Sequence, residues 1–235
     1  MTLAIYWGSG SPNSWRVLLA AEALRLPYES KLLEFSKGQH RTPEFLALNP
    51  RGKVPVLQDG DFVLYESLAI LEYLDRLGSG GLYGNTARAV AVTNRLINEF
   101  ECYLREPLAK VLRHLLVVGG VPATPQTPTA EQAVAANETV RLELSKLAEL
   151  LKNRPWIGGE RFGAADAAVY PYARLLLRAI SKAEARARDL SLFPFFEVFP
   201  ELGPWFARVE ELPGYERTFP PHWRAQELRP SPKRR

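Results

Sequence analysis

The chain has 235 residues, 46% of them hydrophobic and 24% charged, so it can bury one generous core or two modest ones and is neither a disordered chain nor a disulfide scaffold. Its single cysteine, Cys102, cannot form an intramolecular disulfide, and its three histidines are not at metal-ligand spacing, so we expect no metal site. The formal net charge of +4 arises from Arg224 onward. This local excess favours interpreting residues 229–235 as a solvated terminal tail rather than as a nucleic-acid-binding arm.

The N-terminal residues show no pattern of export or membrane insertion. No basic residue precedes the apolar run from Leu3 to Trp7, and the glycine, serine and proline residues at 8–12 interrupt that run far short of a membrane span. We therefore expect a cytoplasmic protein that does not cross a membrane.

The first part of the chain alternates short β-type runs with helical patterns. In chain order, strands are predicted at 3–7, 28–33, 54–57 and 62–65, and helices at about 13–26, 43–48 and 66–77. The last two strands flank Asp59-Gly60, a strong hairpin signal. The order βαβ, α, ββα predicts an α/β domain with a mixed sheet and helices packed on it, because the early parallel crossover needs a helix and the late hairpin does not.

A glycine- and serine-rich linker precedes a second part with helical periodicity throughout. Helices are predicted at 86–118, where Pro107 should introduce a kink, at 131–152, and from about Gly163 to Ile180, with a proline-spaced loop at 122–128. The proline-broken segment 192–220 is expected to wrap around this helical part. The predicted limits are a first domain at 1–78, a linker at 79–85 and an all-α domain at 86–235.

Several motifs are together specific for one family, although each is weak alone. They are Ser11-Pro-Asn-Ser-Trp-Arg-Val17, Gly38-Gln-His-Arg-Thr-Pro-Glu-Phe45 with Asn49-Pro50, Lys53-Val-Pro-Val-Leu57, Tyr65-Glu-Ser-Leu-Ala-Ile-Leu-Glu-Tyr-Leu74 and Phe162-Gly-Ala-Ala-Asp-Ala-Ala168. Over most of its length the chain resembles the cytosolic glutathione transferases, which join a thioredoxin-like domain to an all-helical domain. It is most similar to the serine-type theta and zeta classes and to the bacterial nu-like group. One departure is Gly163, which stands where the family usually has a serine or threonine helix cap.

The resemblance implies that Ser11 activates the thiol of bound glutathione, the co-substrate. The thiolate is the nucleophile, and a free thiol with a pKa of about 8.5 is only a few per cent ionised at pH 7. A hydroxyl donor at a helix N-terminus can lower that pKa. Asn13 is a rival donor, because the nu-like group has Thr-Pro-Asn where this chain has Ser11-Pro12-Asn13. In the structural alternative, Ser11 only turns the chain and Ser14 caps the helix.

The resemblance also implies a binding cradle for the rest of the tripeptide. A cis peptide bond between Val54 and Pro55 would present the Val54 backbone to the cysteinyl backbone of glutathione as an added strand. Glu66 and Ser67 open a helix, where outward N–H groups and the helix dipole favour the γ-glutamyl carboxylate. The structural alternatives are a trans proline that begins an edge strand and ordinary first-turn polar residues.

His40 and Lys53 correspond to positions that contact the glycyl carboxylate in theta-like enzymes, although loop residues of these types are usually only solvated. The resemblance further implies a homodimer and an electrophile pocket, held between the domains and lined by the helix around Cys102 to His114.

The implied activity is transfer of glutathione to a small electrophile. Two alternatives stay open: nu-like glutathione-dependent reduction of disulfides or peroxides, favoured if Asn13 governs the thiol, and a non-catalytic glutathione-binding interaction protein. A zeta-like isomerase is less favoured, because that class has Ser-Ser-Cys in place of Ser11-Pro12-Asn13.

Overall fold

The computed structural model describes residues 3–78, 80–118, 120–188 and 190–227. Ser79 of the predicted linker and the basic tail at 229–235 lie outside these described residues. Contacts divide the chain into two compact units, one formed by Met1–Gly81 with Glu211–Arg235 and the other by Leu82–Glu210. All residues after 85 are predicted to belong to the helical domain, whereas residues 211–227 pack with the first unit.

The first unit contains a thioredoxin-like sheet, as predicted. The strands are β1 (Leu3–Trp7), β2 (Tyr28–Leu32), β3 (Val56–Asp59) and β4 (Phe62–Tyr65), and the helices are α1 (Pro12–Ala23), α2 (Pro43–Leu48) and α3 (Ser67–Leu77). The four strands lie in the order β2-β1-β3-β4. The β1–β2 pair is parallel, and the β1–β3 and β3–β4 pairs are antiparallel.

Two element boundaries of this unit differ from the prediction for local backbone reasons. Strand β3 begins at Val56 rather than at Val54, and Pro55, which precedes it, has no N–H to donate to a neighbouring strand. Helix α1 begins with Pro12 at its first position, which proline favours, and it ends before Arg25, whose φ of 54° is incompatible with a continuing helix. The core of the unit lies between the sheet and these helices, where Ile5 and Leu57 are fully buried.

The second unit is helical, as predicted. Its elements are α4 (Ala87–Glu99), a π-helical turn (Phe100–Leu104), α5 (Arg105–Val118), α6 (Ala130–Leu151), α7 (Ala164–Ile180), α8 (Ala183–Arg186), α9 (Phe195–Val198) and α10 (Leu202–Glu210). The distortion expected at Pro107 takes the form of the π-helical turn just before it. A proline ring collides with the carbonyl four residues earlier, here that of Tyr103, and a wider turn relieves that collision.

The buried carboxylate of Asp166 organises the start of α7. Its Oδ1 accepts hydrogen bonds from the Ile157 backbone N–H at 2.9 Å and from Trp205 Nε1 at 2.8 Å, and its Oδ2 accepts one from the Gly163 N–H at 3.0 Å. Burial raises the pKa of Asp166 to about 6, while these donors oppose the rise. The side chain is therefore ionised at neutral pH and satisfies three donors of the helical unit.

A close backbone contact accounts for glycine at the cap of α7. The carbonyl oxygen of Leu82 accepts a hydrogen bond from the Ala164 N–H at 2.8 Å. A Cβ added to Gly163 would lie 2.7 Å from that same oxygen. A serine or threonine would collide there, so the missing cap hydroxyl reflects the packing of residue 82.

Helices α11 (Tyr215–Thr218) and α12 (Pro221–Glu227) complete the first unit. The segment predicted to wrap around the helical domain is therefore divided. Its α9 and α10 part packs in the helical unit, where Phe206 lies against Tyr170 and Phe195 with ring centroids 5.1 and 6.0 Å apart. Its α11 part packs on α1 of the first unit. None of the helices in the described ranges is both long and apolar enough to cross a membrane.

Candidate glutathione site

The strand register gathers the candidate residues at one end of the sheet. Tyr6 near the end of β1 pairs with Val56 at the start of β3, which in turn pairs with Tyr65 at the end of β4. At the same end, Trp7 pairs with Leu32 at the end of β2. Val54 and Pro55 directly precede the start of β3, Glu66 and Ser67 directly follow the end of β4, and the turn that follows β1 leads to Ser11.

Ser11 lies at the N-cap of α1. Its Oγ accepts a hydrogen bond from the Ser14 backbone N–H at 3.3 Å, so Ser11, and not Ser14, caps the helix. Its own N–H donates to the carbonyl of Gly8 at 3.1 Å and closes the turn after β1. Since a hydroxyl has one proton to donate besides its acceptor pairs, the half-buried Ser11 retains an O–H donor at a helix N-terminus. A hydrogen-bond donor in this position can stabilise a thiolate.

Asn13 is the second residue of the same helix and is also half-buried. Ser14 is fully buried, and its Oγ accepts a hydrogen bond from the Gly8 N–H at 3.3 Å. Two candidate donors, Ser11 and Asn13, therefore lie at the N-terminus of α1, while Ser14 has a structural role.

The peptide bond between Val54 and Pro55 is cis, as the resemblance implies. The preceding turn is held by the buried side chain of Asn49, whose Nδ2 donates to the Lys53 carbonyl at 2.7 Å and whose Oδ1 accepts from the Arg51 N–H at 3.1 Å. Val54 is half-buried and precedes the first paired residue of β3. The arrangement leaves the Val54 backbone outside the sheet ladder at the end where the candidates gather.

The turn from β4 into α3 has a strained backbone at the predicted anion site. Glu66 has a φ of 72°, a region that favours glycine, and such strain is often found at ligand-binding positions. Its side chain is exposed. Ser67, the first residue of α3, is 8% exposed, and its Oγ accepts a hydrogen bond from Arg16 Nη1 at 3.3 Å. The Ser67 hydroxyl can still donate its proton to a ligand.

Arg16 also contacts this candidate site, although it is not among the site residues predicted from the sequence. It lies on α1 and is only 1% exposed, and its guanidinium donates a hydrogen bond to the Ser67 hydroxyl. A buried charge of this sign adds to the α3 dipole and favours an anion at Ser67. The arginine in the Ser11–Val17 motif was the signal, although its burial could not be read from one sequence.

The two candidates for the glycyl carboxylate differ in their surroundings. His40 lies in a 3₁₀ turn (Gln39–Arg41), packs edge-on against Phe35 with ring centroids 4.9 Å apart, and buries its Nδ1 without a hydrogen-bond partner among the described residues. Lys53 is exposed, and only its carbonyl takes part in the Asn49 turn. Nothing in the described ranges groups three or more histidine, cysteine, aspartate or glutamate side chains for a metal ion.

Comparison with known proteins finds matches in both parts of the chain. The family model "Glutathione S-transferase, N-terminal domain" matches residues 1–76, and "Glutathione S-transferase, C-terminal domain" matches residues 102–213. Glutathione S-transferase GstB of Escherichia coli is 33% identical over 172 residues, which cover 71% of this chain and 79% of the relative. The chain belongs to the glutathione S-transferase family.

The likeness to this family extends over both units. Glutathione S-transferase A of Pleuronectes platessa is 29% identical over 229 residues, which cover 94% of this chain and 92% of the relative. A glutathione S-transferase from the Antarctic clam Laternula elliptica has a TM-score of 0.76 at 25% identity and covers 95% of this chain and 94% of its own. A family member from Pseudomonas fluorescens, solved with two glutathione bound, has a TM-score of 0.76 at 24% identity.

Proposed function

We propose that this chain is a glutathione transferase that lowers the pKa of the glutathione thiol and transfers the thiolate to a small electrophile. The observation that supports the proposal is the strand register, which brings together the strand ends that adjoin the segments of Ser11, Val54 and Ser67. Each residue supplies a different group: a hydroxyl at a helix N-terminus, an unpaired backbone next to a cis proline, and a hydroxyl hydrogen-bonded to a buried guanidinium.

In the proposed mechanism, the cradle binds the tripeptide and Ser11 activates it. Ser67 and the N-terminus of α3 bind the γ-glutamyl carboxylate, and Glu66 pairs with the γ-glutamyl amine. The Val54 backbone pairs with the cysteinyl residue, and His40 with Lys53 contacts the glycyl carboxylate. The thiol then lies at Ser11, whose O–H donates to the thiolate. This thiolate attacks the electrophile, and the leaving group departs with the bonding electron pair.

A second candidate function rests on Asn13. Its position at the second residue of α1 places an amide donor within one turn of the Ser11 hydroxyl. If the amide governs the thiolate, we propose the nu-like activity, in which glutathione reduces a disulfide or a peroxide. A protein that binds glutathione without shifting its thiol pKa would instead be a non-catalytic interaction protein.

The proposed function is tested by titrating the thiol of bound glutathione. We expect the thiolate absorbance of the wild-type complex to rise with a midpoint about two pH units below that of free glutathione, and the protein to consume glutathione with an activated chloronitrobenzene. Ser67→Ala should weaken glutathione binding by about tenfold or more, because it removes a hydrogen bond to a charged group. Binding is measured by calorimetry.

Ser145→Ala is the control for this experiment, since Ser145 is an exposed serine of α6 in the helical unit. It should bind glutathione as the wild type does. An unshifted thiol pKa in the wild-type complex would contradict the catalytic proposal, and equal affinities for Ser67→Ala and wild type would contradict the assigned anion site.

We also propose that the chain acts in the cytoplasm as a homodimer. The support is family membership together with large apolar side chains on the surface of the helical unit, among them Tyr103 at 60% and Leu142 at 56% exposure. Sedimentation equilibrium should give about twice the 26.4 kDa mass of one chain. A single-chain mass at micromolar concentration would contradict the dimer.

A further inference from the structure

The last described segment of the chain, residues 211–227, folds back onto the start of α1; we call it the C-terminal segment. Trp15, in the first turns of α1, is 2% exposed and donates from Nε1 to Thr218 Oγ1 at 2.8 Å. Its ring meets Phe219 edge-on at 5.8 Å and Trp223 edge-on at 5.5 Å. These buried contacts fix the C-terminal segment to the helix that begins at Ser11.

An ion pair holds the same segment further along α1. Arg217 Nε donates to Glu22 Oε1 at 3.1 Å, and a second guanidinium nitrogen contacts Glu22 Oε2. Tyr28 at the start of β2 also donates to Glu22 Oε1, at 3.0 Å. The C-terminal segment is therefore attached near both ends of α1, and these contacts position its last helix, α12.

Helix α12 places His222 against the turn that follows β1. Its Nδ1 lies 2.6 Å from Ser9 Oγ. Its ring also covers Gly10, where an added Cβ would lie 2.7 Å from His222 Cε1 and where φ is +79°. Both contacts are made to the turn that immediately precedes Ser11.

The Ser9–Gly10 turn leads directly into Ser11. The turn contains a glycine with positive φ, and glycine backbones are the most freely rotating in a chain. Ser11 closes the turn through its N–H bond to Gly8. A shift of the turn would move Ser11 Oγ relative to the thiol, and misplacement of a reacting group by about 1 Å can cost two orders of magnitude in rate.

We propose that His222 is a positioning residue for Ser11. Through the His222 side chain, the C-terminal segment holds the Ser9–Gly10 turn in place, so that the Ser11 hydroxyl reaches the glutathione thiol. The inference rests on the proposed function. The role is geometric and not one of acid–base catalysis: a serine hydroxyl can donate to or accept from an imidazole nitrogen, so the contact with Ser9 does not require one protonation state.

The test compares three variants at position 222 by steady-state kinetics and by titration of the bound thiol. We expect His222→Ala to lower kcat about tenfold, to raise the pKa of the bound thiol, and to leave KM for glutathione within about twofold, because the tripeptide is bound mainly by the Val54 and Ser67 groups. His222→Asn keeps a polar atom near the place of Nδ1 and should recover most of kcat. His222→Phe keeps a ring over Gly10 and separates packing from the hydrogen bond.

Arg224→Ala is the matched control on the same helix, since Arg224 pairs with Glu216 at 2.7 Å inside the C-terminal segment and both side chains are exposed. It should leave kcat and the thiol pKa unchanged. Wild-type kcat and thiol pKa in His222→Ala, or equal losses in His222→Ala and Arg224→Ala, would overturn the inference alone. A wild-type complex with an unshifted thiol pKa would overturn the proposed function and the inference together.

Discussion

Replacing Asp166 with alanine is expected to lower the free energy of unfolding of the helical unit by about 3–5 kcal/mol. The carboxylate is fully buried and accepts from the Ile157 N–H, the Gly163 N–H and Trp205 Nε1. Alanine leaves these buried donors without their acceptor, and each orphaned group costs about 1–3 kcal/mol. Such a loss is a large part of the stability of an ordinary domain. Urea unfolding followed by far-UV circular dichroism measures it.

Gln132→Ala is the matched control for this prediction. Gln132 occupies the same third position of its helix, α6, and its side chain accepts from the Thr129 N–H at 3.0 Å, but it is exposed. Its replacement should cost about 1 kcal/mol or less, since water can satisfy the freed N–H. Equal losses of unfolding free energy in Asp166→Ala and Gln132→Ala would contradict the argument that burial makes the Asp166 hydrogen bonds costly to remove.

The pH dependence of Asp166→Asn provides a second check. The folded-state pKa of Asp166, about 6, lies above its ordinary value of 3.8 because burial disfavours the charge. The stability linked to this shift is therefore present below about pH 4 and is lost as the pH rises through about 6. Asparagine stays neutral throughout. The free energy of unfolding that Asp166→Asn loses relative to wild type should therefore be larger at pH 4 than at pH 7. The opposite trend would contradict the raised pKa of Asp166.

The sequence predicted the two-part fold because local signals agreed with tertiary packing. Strand β1 is a short apolar run ended by glycine and serine, and in the predicted hairpin Asp59 ends β3 while Gly60 begins the turn to β4. Helix ends were less accurate. The end of α1 depends on the positive φ of Arg25, and nothing in the residue type requires that conformation.

The candidate site was predicted by motif, and its supporting residues were not. Ser11, Val54 and Ser67 belong to segments that the resemblance assigns to glutathione. Arg16 and His222 contact Ser67 and Ser9, which are distant from them in sequence, and no local pattern encodes these pairings. The aromatic residues of the C-terminal segment indicated burial, but they could not indicate which of two hydrophobic faces would cover them.

Replacing Ser11 with alanine is expected to lower kcat/KM about 50-fold at pH 6.5. If the hydroxyl and the helix N-terminus lower the thiol pKa from about 8.5 to about 6.5, and the hydroxyl accounts for most of the shift, the thiolate fraction at pH 6.5 falls from about one half to about 1 per cent without it. At pH 9.5 the thiol is more than about 90 per cent ionised in both proteins, so the difference in kcat/KM should shrink to about 1.1-fold. The pH–rate profile and the thiolate titration measure both quantities.

Loss of the helix cap has to be separated from loss of the thiol donor. Ser11 also caps α1, and such a cap contributes about 1 kcal/mol to stability. Thr86→Ala removes an equivalent cap from α4, where Thr86 Oγ1 accepts from the Ala89 N–H at 3.1 Å. It should lose similar stability while keeping the wild-type thiol pKa.

Asn13→Ala decides between the two donors in the first turn of α1. The Ser11 hydroxyl lies at the N-cap, ahead of the outward N–H groups of the helix, whereas Asn13 lies one residue inside it. We therefore expect Asn13→Ala to raise the thiol pKa by less than half of the Ser11→Ala shift, as measured by the same thiolate titration. A loss confined to Asn13→Ala would contradict the role of Ser11 and would favour reduction of disulfides or peroxides, because the nu-like chemistry depends on that amide.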